Sequence, residues 1–204
     1  MAHDSVILGP TICLLHLLLL AQLFVCSVCR PTYNSSLCPT FGSLKHQVAM
    51  IKRDCKGLHG LNKDLSAFEG MEHRLHGLPS IEYTASHIGS LTINRSLSEM
   101  YVGYQAFEVH VDWLSTVRHN ASLSIQSAQM IKGHLLKLVP LLNASLHQVS
   151  EQVTPTMTSP SFPAISTPFD ALQFSVELSE ELKMFCLWSE RVLHQLQSRS
   201  RCPK

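Results

Sequence analysis

The chain has 204 residues, is 45% hydrophobic and 15% charged, and carries a net charge of only +1 with histidine neutral. So balanced a charge excludes a general electrostatic attraction to nucleic acid or to an anionic membrane. The length suffices for one domain with a true core.

The apolar run from Ile7 to Val28, with Leu17 to Leu20 inside it, is long enough to span a bilayer. Its place at the N-terminus and its ending in small residues predict instead a cleavable signal peptide over residues 1–29. Ser27 and Cys29 then stand at positions −3 and −1, with cleavage before Arg30. The segment before the run holds Asp4 and no Lys or Arg, so a retained signal-anchor is the alternative. Cleavage leaves 16 basic against 14 acidic residues, a charge of +2, in one secreted, extracellular domain over 30–204. Four Asn-x-Ser sequons at Asn34, Asn94, Asn120 and Asn143 fit that route and mark candidate glycosylation sites. Asn94 and Asn120 fall at helix edges, whereas Asn143 falls inside a predicted helix.

Apolar residues at steps of three and four predict a first helix over about 41–68, with Phe41, Leu44, Val48, Ile51, Cys55, Leu58, Leu61 and Leu65 as its stripe. Gly57 and Gly60 weaken it near the middle, each costing ~1 kcal/mol against alanine. A second helix is expected from Ser96, whose hydroxyl and Glu99 three residues on would form a capping box. Leu97, Met100, Tyr104, Phe107, Val111 and Leu114 form its inner face. The third covers about 122–149, with Ala128, Ile131, Leu135, Leu138, Leu142, Leu146 and Val149 inward and Pro140 as an expected kink. The fourth starts at Thr167 as N-cap, with Pro168 in the first turn and Asp170 favourable to the helix dipole. Its core residues are Leu172, Val176, Leu182, Phe185, Cys186, Leu193 and Leu196.

The connections run long, short, long. About 27 residues separate the first two helices, only residues 119–121 the next two, and a Ser/Thr/Pro-rich stretch over 150–166 precedes the last. A short link forces antiparallel neighbours, whereas long links let consecutive helices run parallel. The expected fold is all-α: an up-up-down-down long-chain four-helix bundle with two long crossover loops.

Four cysteines stay with the mature chain: Cys38, Cys55, Cys186 and Cys202. They allow three connectivities. If the first and last helices are antiparallel neighbours, facing positions share nearly constant index sums. Cys38 with Cys202 gives 240 and Cys55 with Cys186 gives 241, so these pairs would form two rungs of one disulfide ladder. Alternatively Cys55 and Cys186 are buried free thiols, since both are core positions.

Catalytic and metal motifs are weak. His73-x-x-His76 and Cys55-x-x-x-His59 have spacings a metal could use, but lack a second matching pair. Glu177, Glu180 and Glu181 read as a solvated helix face. There is no phosphate loop, no HExxH and no GxSxG elbow, so no enzyme, metal or cofactor is expected.

The segment Leu78-Pro-Ser-Ile-Glu-Tyr-Thr-Ala-Ser-His-Ile-Gly-Ser-Leu91, followed by a helix reaching Asp112-Trp113-Leu114, resembles the interleukin-11 family. An aromatic in the first turn of the last helix, followed at a similar interval by Trp188-Ser-Glu-Arg191, extends the resemblance. It implies a monomeric cytokine of the interleukin-6 family that binds an alpha receptor, recruits a gp130-type signalling receptor and activates JAK–STAT signalling. Arg191 stands at the family's alpha-receptor arginine, where a planar fork suits a receptor carboxylate. A second surface is implied on the exposed faces of the first and third helices. Phe169 stands at the third site, as an exposed aromatic anchor or, alternatively, as a hydrophobic staple. Trp188 is expected to be structural. Mammalian members lack this cysteine framework and have Trp where Phe169 stands, which suggests a divergent, non-mammalian member. A Phe there is similar to the leukaemia-inhibitory-factor branch, but Leu172 replaces that branch's lysine. From another class, a secreted carrier of lipid or another apolar ligand would use the same amphipathic helices.

Overall fold

In the computed structural model the described residues are 37–61, 68, 70, 74–149, 160–200 and 202. The expected leader, its cleavage site, Asn34 and His73 lie outside them. The described residues belong to one compact unit, Ser36–Lys204. Four long helices make it: α1 (Cys38–Asp54), α3 (Ile93–Asn120), α4 (Gln126–Gln148) and α5 (Pro168–Arg199). A short α2 (Ala85–Ser90) lies in the first long link. Among the described residues all regular structure is helical, and no helix is long and apolar enough to cross a membrane.

Pairs of contacts fix the helix directions. Lys45 reaches Gln197 at 3.0 Å and Lys52 reaches Glu190 at 2.5 Å, so α1 and α5 are antiparallel. Tyr104 bonds Ser189 while Arg118 bonds Ser175, which makes α3 antiparallel to α5. Gln47 faces His134, and Gly57 lies against Ser127, which sets α4 antiparallel to α1. The Lys132–Asp112 ion pair and the Arg118–Ser124 bond do the same for α3 and α4. α1 and α3 therefore run one way, α4 and α5 the other.

The expected stripes meet in one core. Phe41, Leu44, Val48 and Ile51 of α1 face Leu135, Leu138 and Leu142 of α4 and Leu182, Phe185 and Leu193 of α5, all buried. The aromatic centre is Phe185, edge-on to Tyr104 at 4.7 Å and 5.4 Å from the fully buried Trp188. Gly103 makes room for it, since a Cβ there would stand 2.2 Å from the Phe185 ring. α5 buries nearly every side over residues 171–179. Its buried Ser179 hydroxyl donates to the Cys55 carbonyl at 2.8 Å and so keeps a partner.

Several boundaries differ from the sequence expectation. α1 ends at Asp54, not near 68, and a 3₁₀ turn over Cys55–Gly57 follows. Gly57 is needed because Ser127 of α4 occupies the place of any Cβ, and Gly60 adopts φ +68°. α3 begins three residues early. Thr92 is its N-cap, accepting from Arg95 N, while Ser96 lies inside the helix and donates back to Thr92 O. Glu99 pairs with Arg95 instead of completing a capping box. α4 starts at Gln126 and not at Ser122, because α3 closes with a Schellman motif. Ser122 takes φ +58°, and Leu123 N reaches back to Arg118 O at 2.8 Å. α4 continues through Pro140, which is exposed.

Cys38 and Cys202 form a disulfide that ties the start of α1 to the end of α5. Cys55 and Cys186 do not: both are buried free thiols, correcting the two-rung expectation. Index sums placed the two thiols as neighbours, and they are neighbours, but without a bond between them. Here Tyr104 Oη lies 3.8 Å from Cys186 Sγ, and both thiols fill core space as small apolar groups. Burial, then the neighbouring Cys55, pushes the Cys186 thiol well up from its ordinary range, so it stays protonated and unreactive.

Candidate functional site

The first long link is held to the bundle by buried polar contacts. Glu177 was expected on a solvated face, but it is buried. Its Oε1 accepts from the backbone N–H groups of Arg74 and Leu75, each at 2.9 Å. His110, also buried, sets its ring nitrogens 2.7 Å from Ala106 O and 3.0 Å from His76 O. Arg199 closes the far end of the link, donating to Leu91 O at 2.7 Å and to Gly89 O. Thr84 caps α2 by accepting from His87 N, and Ile88 buries its side chain. The link thus returns along α5 and ends beside its C-terminal turns.

That path builds a surface groove of about 600 Å³. Tyr83, Ala85 and Ile88 come from the link, and Glu190, Arg191, His194, Gln195 and Ser198 from α5. Arg191 is exposed and makes no hydrogen bond or ion pair with another described residue. Its neighbour Glu190 is taken by Lys52. Burial, then the charge of Glu181, raises the Tyr83 phenol, which stays neutral in the groove wall. The arrangement offers a free guanidinium beside an apolar and aromatic rim, fit for a partner's carboxylate. Tyr83 and α2 were not singled out from sequence, although Thr84 followed by His87 carries a cap signal.

Phe169 lies at the other end of the same helix, 22 residues from Arg191, or about 33 Å along an α-helix. It is 49% exposed. Its ring stacks on Phe68 of the first link at 5.5 Å and 14°. The turn that presents it is well built: Asp170 N donates to Thr167 Oγ1 at 3.1 Å, and Asp170 Oδ2 accepts from Thr167 N at 2.8 Å. Beyond the expected Thr167 N-cap, these bonds make a capping box that the sequence reading did not name. The Thr167 hydroxyl, then the N–H groups of Thr167 and Ser166, hold the Asp170 carboxyl below its ordinary range. A lowered folded value stabilises above the unfolded value and is lost as pH falls through the folded one. The start of α5 is expected to fray as pH drops below about 4, which amide exchange of residues 168–172 measures. In Asp170→Asn that pH dependence disappears.

The remaining expected residues are placed as follows. Trp188 is buried in the core, as expected of a structural residue. Asn120 and Asn143 are exposed and Asn94 is half-buried. His59 is buried, and its Nδ1 accepts from Leu61 N, so it is occupied locally. Among the described residues no group of three or more Cys, His, Asp or Glu could hold a metal ion.

No curated protein sequence and no solved structure matches the chain. Residues 31–200 match the family model described as Interleukin 11. That span covers all four long helices, the groove around Arg191 and the turn carrying Phe169, and it shows that the chain belongs to the interleukin 11 family of helical cytokines.

Proposed function

We propose that the chain is a secreted cytokine that binds an alpha receptor through the Arg191 groove and recruits a gp130-type signalling receptor. Phe169 would anchor that second partner, the exposed faces of α1 and α4 would supply a further contact, and JAK–STAT activation would follow. The observation that carries this reading is Arg191. It is an exposed arginine without a partner among the described residues, set where the end of the first link meets the end of α5. Chain position alone would not bring those segments together. Glu177 and Arg199 do so by holding the link.

The separation of Arg191 from Phe169 supports two partners at once, since about 33 Å of helix leaves room for separate receptor modules. The first partner's energy is expected to centre on the arginine with Tyr83 and Ile88 around it, the pattern of a hot spot with an apolar rim. Arg191→Ala is expected to weaken binding to an interleukin-11-type alpha receptor by about thirtyfold, or 2 kcal/mol. Thermal unfolding should be unchanged. Surface binding to the immobilised ectodomain checks this, and equal affinity of variant and parent would remove the groove from the interface.

A further inference from the structure

None of the four sequons has a role in the proposed receptor contacts, and the structure gives the three that lie among the described residues one arrangement. The Asp112–Lys132 ion pair crosses the outer seam between α3 and α4, with both side chains part-exposed. Asn94 precedes Asp112 by 18 residues, five helical turns at about 3.6 residues per turn, and so lies on the same row of α3. Asn143 follows Lys132 by 11 residues, about three turns, and so lies on the same row of α4. Because the two helices are antiparallel, both asparagines lie toward the same end of the seam. Asn120, the last residue of α3, stands exposed at the other end.

We propose that Asn94, Asn120 and Asn143 carry N-glycans that shield the α3–α4 face and leave the α1-ward side of α4 and the Arg191 groove open. The proposal rests on the secretory reading above. In each case the side-chain Nδ2 bonds to the anomeric carbon of an oligosaccharide held on a lipid pyrophosphate. The carbon–oxygen bond to the pyrophosphate breaks, the lipid pyrophosphate leaves, and the amide gives up one proton.

The fold also orders the events. The sequon hydroxyls of Ser96 and Ser145 are buried and committed to backbone carbonyls, Thr92 O at 2.8 Å and Leu141 O at 2.7 Å. A transferase that must engage those hydroxyls can do so only before α3 and α4 form. Ser122 is exposed, in the turn that ends α3. Asn120 therefore stays open to modification after folding, whereas Asn94 and Asn143 do not.

The test starts with the full chain expressed in secreting animal cells and analysed by glycopeptide mass spectrometry. All three asparagines should be occupied. Secreted chain with Asn94 and Asn143 bare would overturn the shielded face, whereas chain that never leaves the cell would count against the secretory reading instead. Chain made in bacteria is then offered, folded or denatured, to an oligosaccharyl transferase with its lipid-linked donor. Folded chain should be modified at Asn120 alone and denatured chain at all three; equal modification of Asn143 in both states would overturn the ordering. Finally, Met130→Asn with Lys132→Thr moves a sequon to the α1-ward side, one turn before His134, which faces α1. That glycan should lower recruitment of the signalling receptor by about tenfold or more, while removal of the three native glycans changes it by less than about twofold. The reverse result would show that the α3–α4 face is the contact.

Discussion

Replacing Phe169 with alanine is expected to abolish signalling while leaving the fold and first-receptor binding intact. The ring is half-exposed and stacks on Phe68. About half of its surface is buried, so truncation should move unfolding by only about 1–1.5 kcal/mol. A partly exposed aromatic on a rigid helical turn is, however, the residue type that dominates interfaces, and losing such an anchor costs about 2 kcal/mol or more, near thirtyfold. The measurement pairs STAT phosphorylation in cells bearing both receptors with chemical denaturation of the same preparation. Full signalling by a stable variant would remove Phe169 from the contact. Loss of signalling together with unfolding would give the ring a structural role, closing the bundle end against Phe68.

Trp188 should behave in the opposite way. It is fully buried and packs on Phe185, whose ring fills the space left by Gly103 and meets Tyr104 and Phe107. Trp188→Ala is expected to cost about 3–5 kcal/mol, the lost transfer energy plus a cavity between stiff aromatic neighbours. Against a typical total of about 5–15 kcal/mol, that is a large share. The denaturation midpoint reads the effect directly. Stability within about 1 kcal/mol of the parent would mean that this region is far looser than its packing implies.

The bundle was legible because its information is periodic. Steps of three and four named Phe41 to Ile51, Leu97 to Leu114 and Ala128 to Leu146 as inner faces, and these positions are buried. Thr167, Pro168 and Asp170 named the start of α5, because cap chemistry is local. Signals that depend on the other side of a contact were not legible. Gly57 and Gly60 marked a weak stretch in the first helix, but the closeness of Ser127 to Gly57 could not be read from residues 50–60. Glu177 looked like one of three surface carboxylates, and its burial follows from two N–H groups more than 100 residues away in the chain. For Cys55 and Cys186 the arithmetic gave the neighbourhood correctly but not the bonding state, which is two free thiols.

The candidate site divides in the same manner. Arg191 and Phe169 came from a resemblance and from residue type, and both are exposed on one helix. Their partners on the molecule, Tyr83 and Ile88 for one and Phe68 for the other, come from a link whose course is fixed by non-local polar bonds. Sequence periodicity has no purchase on such a segment. A short capped helix such as α2 is the kind of local signal that could have been found, through Thr84 three residues before His87.

The most direct test of the account is ordered binding on one surface. Purified mature chain is passed over an immobilised interleukin-11-type alpha receptor ectodomain, followed by a soluble gp130-type ectodomain. The account predicts that the chain binds first and that the second receptor then adds to the complex. With the chain omitted, the second receptor should not bind. Failure of the chain to bind the alpha receptor, or its retention only on a leukaemia-inhibitory-factor-type receptor, would contradict the account. A stoichiometric lipid carried by the same preparation would then direct attention to the apolar-ligand carrier.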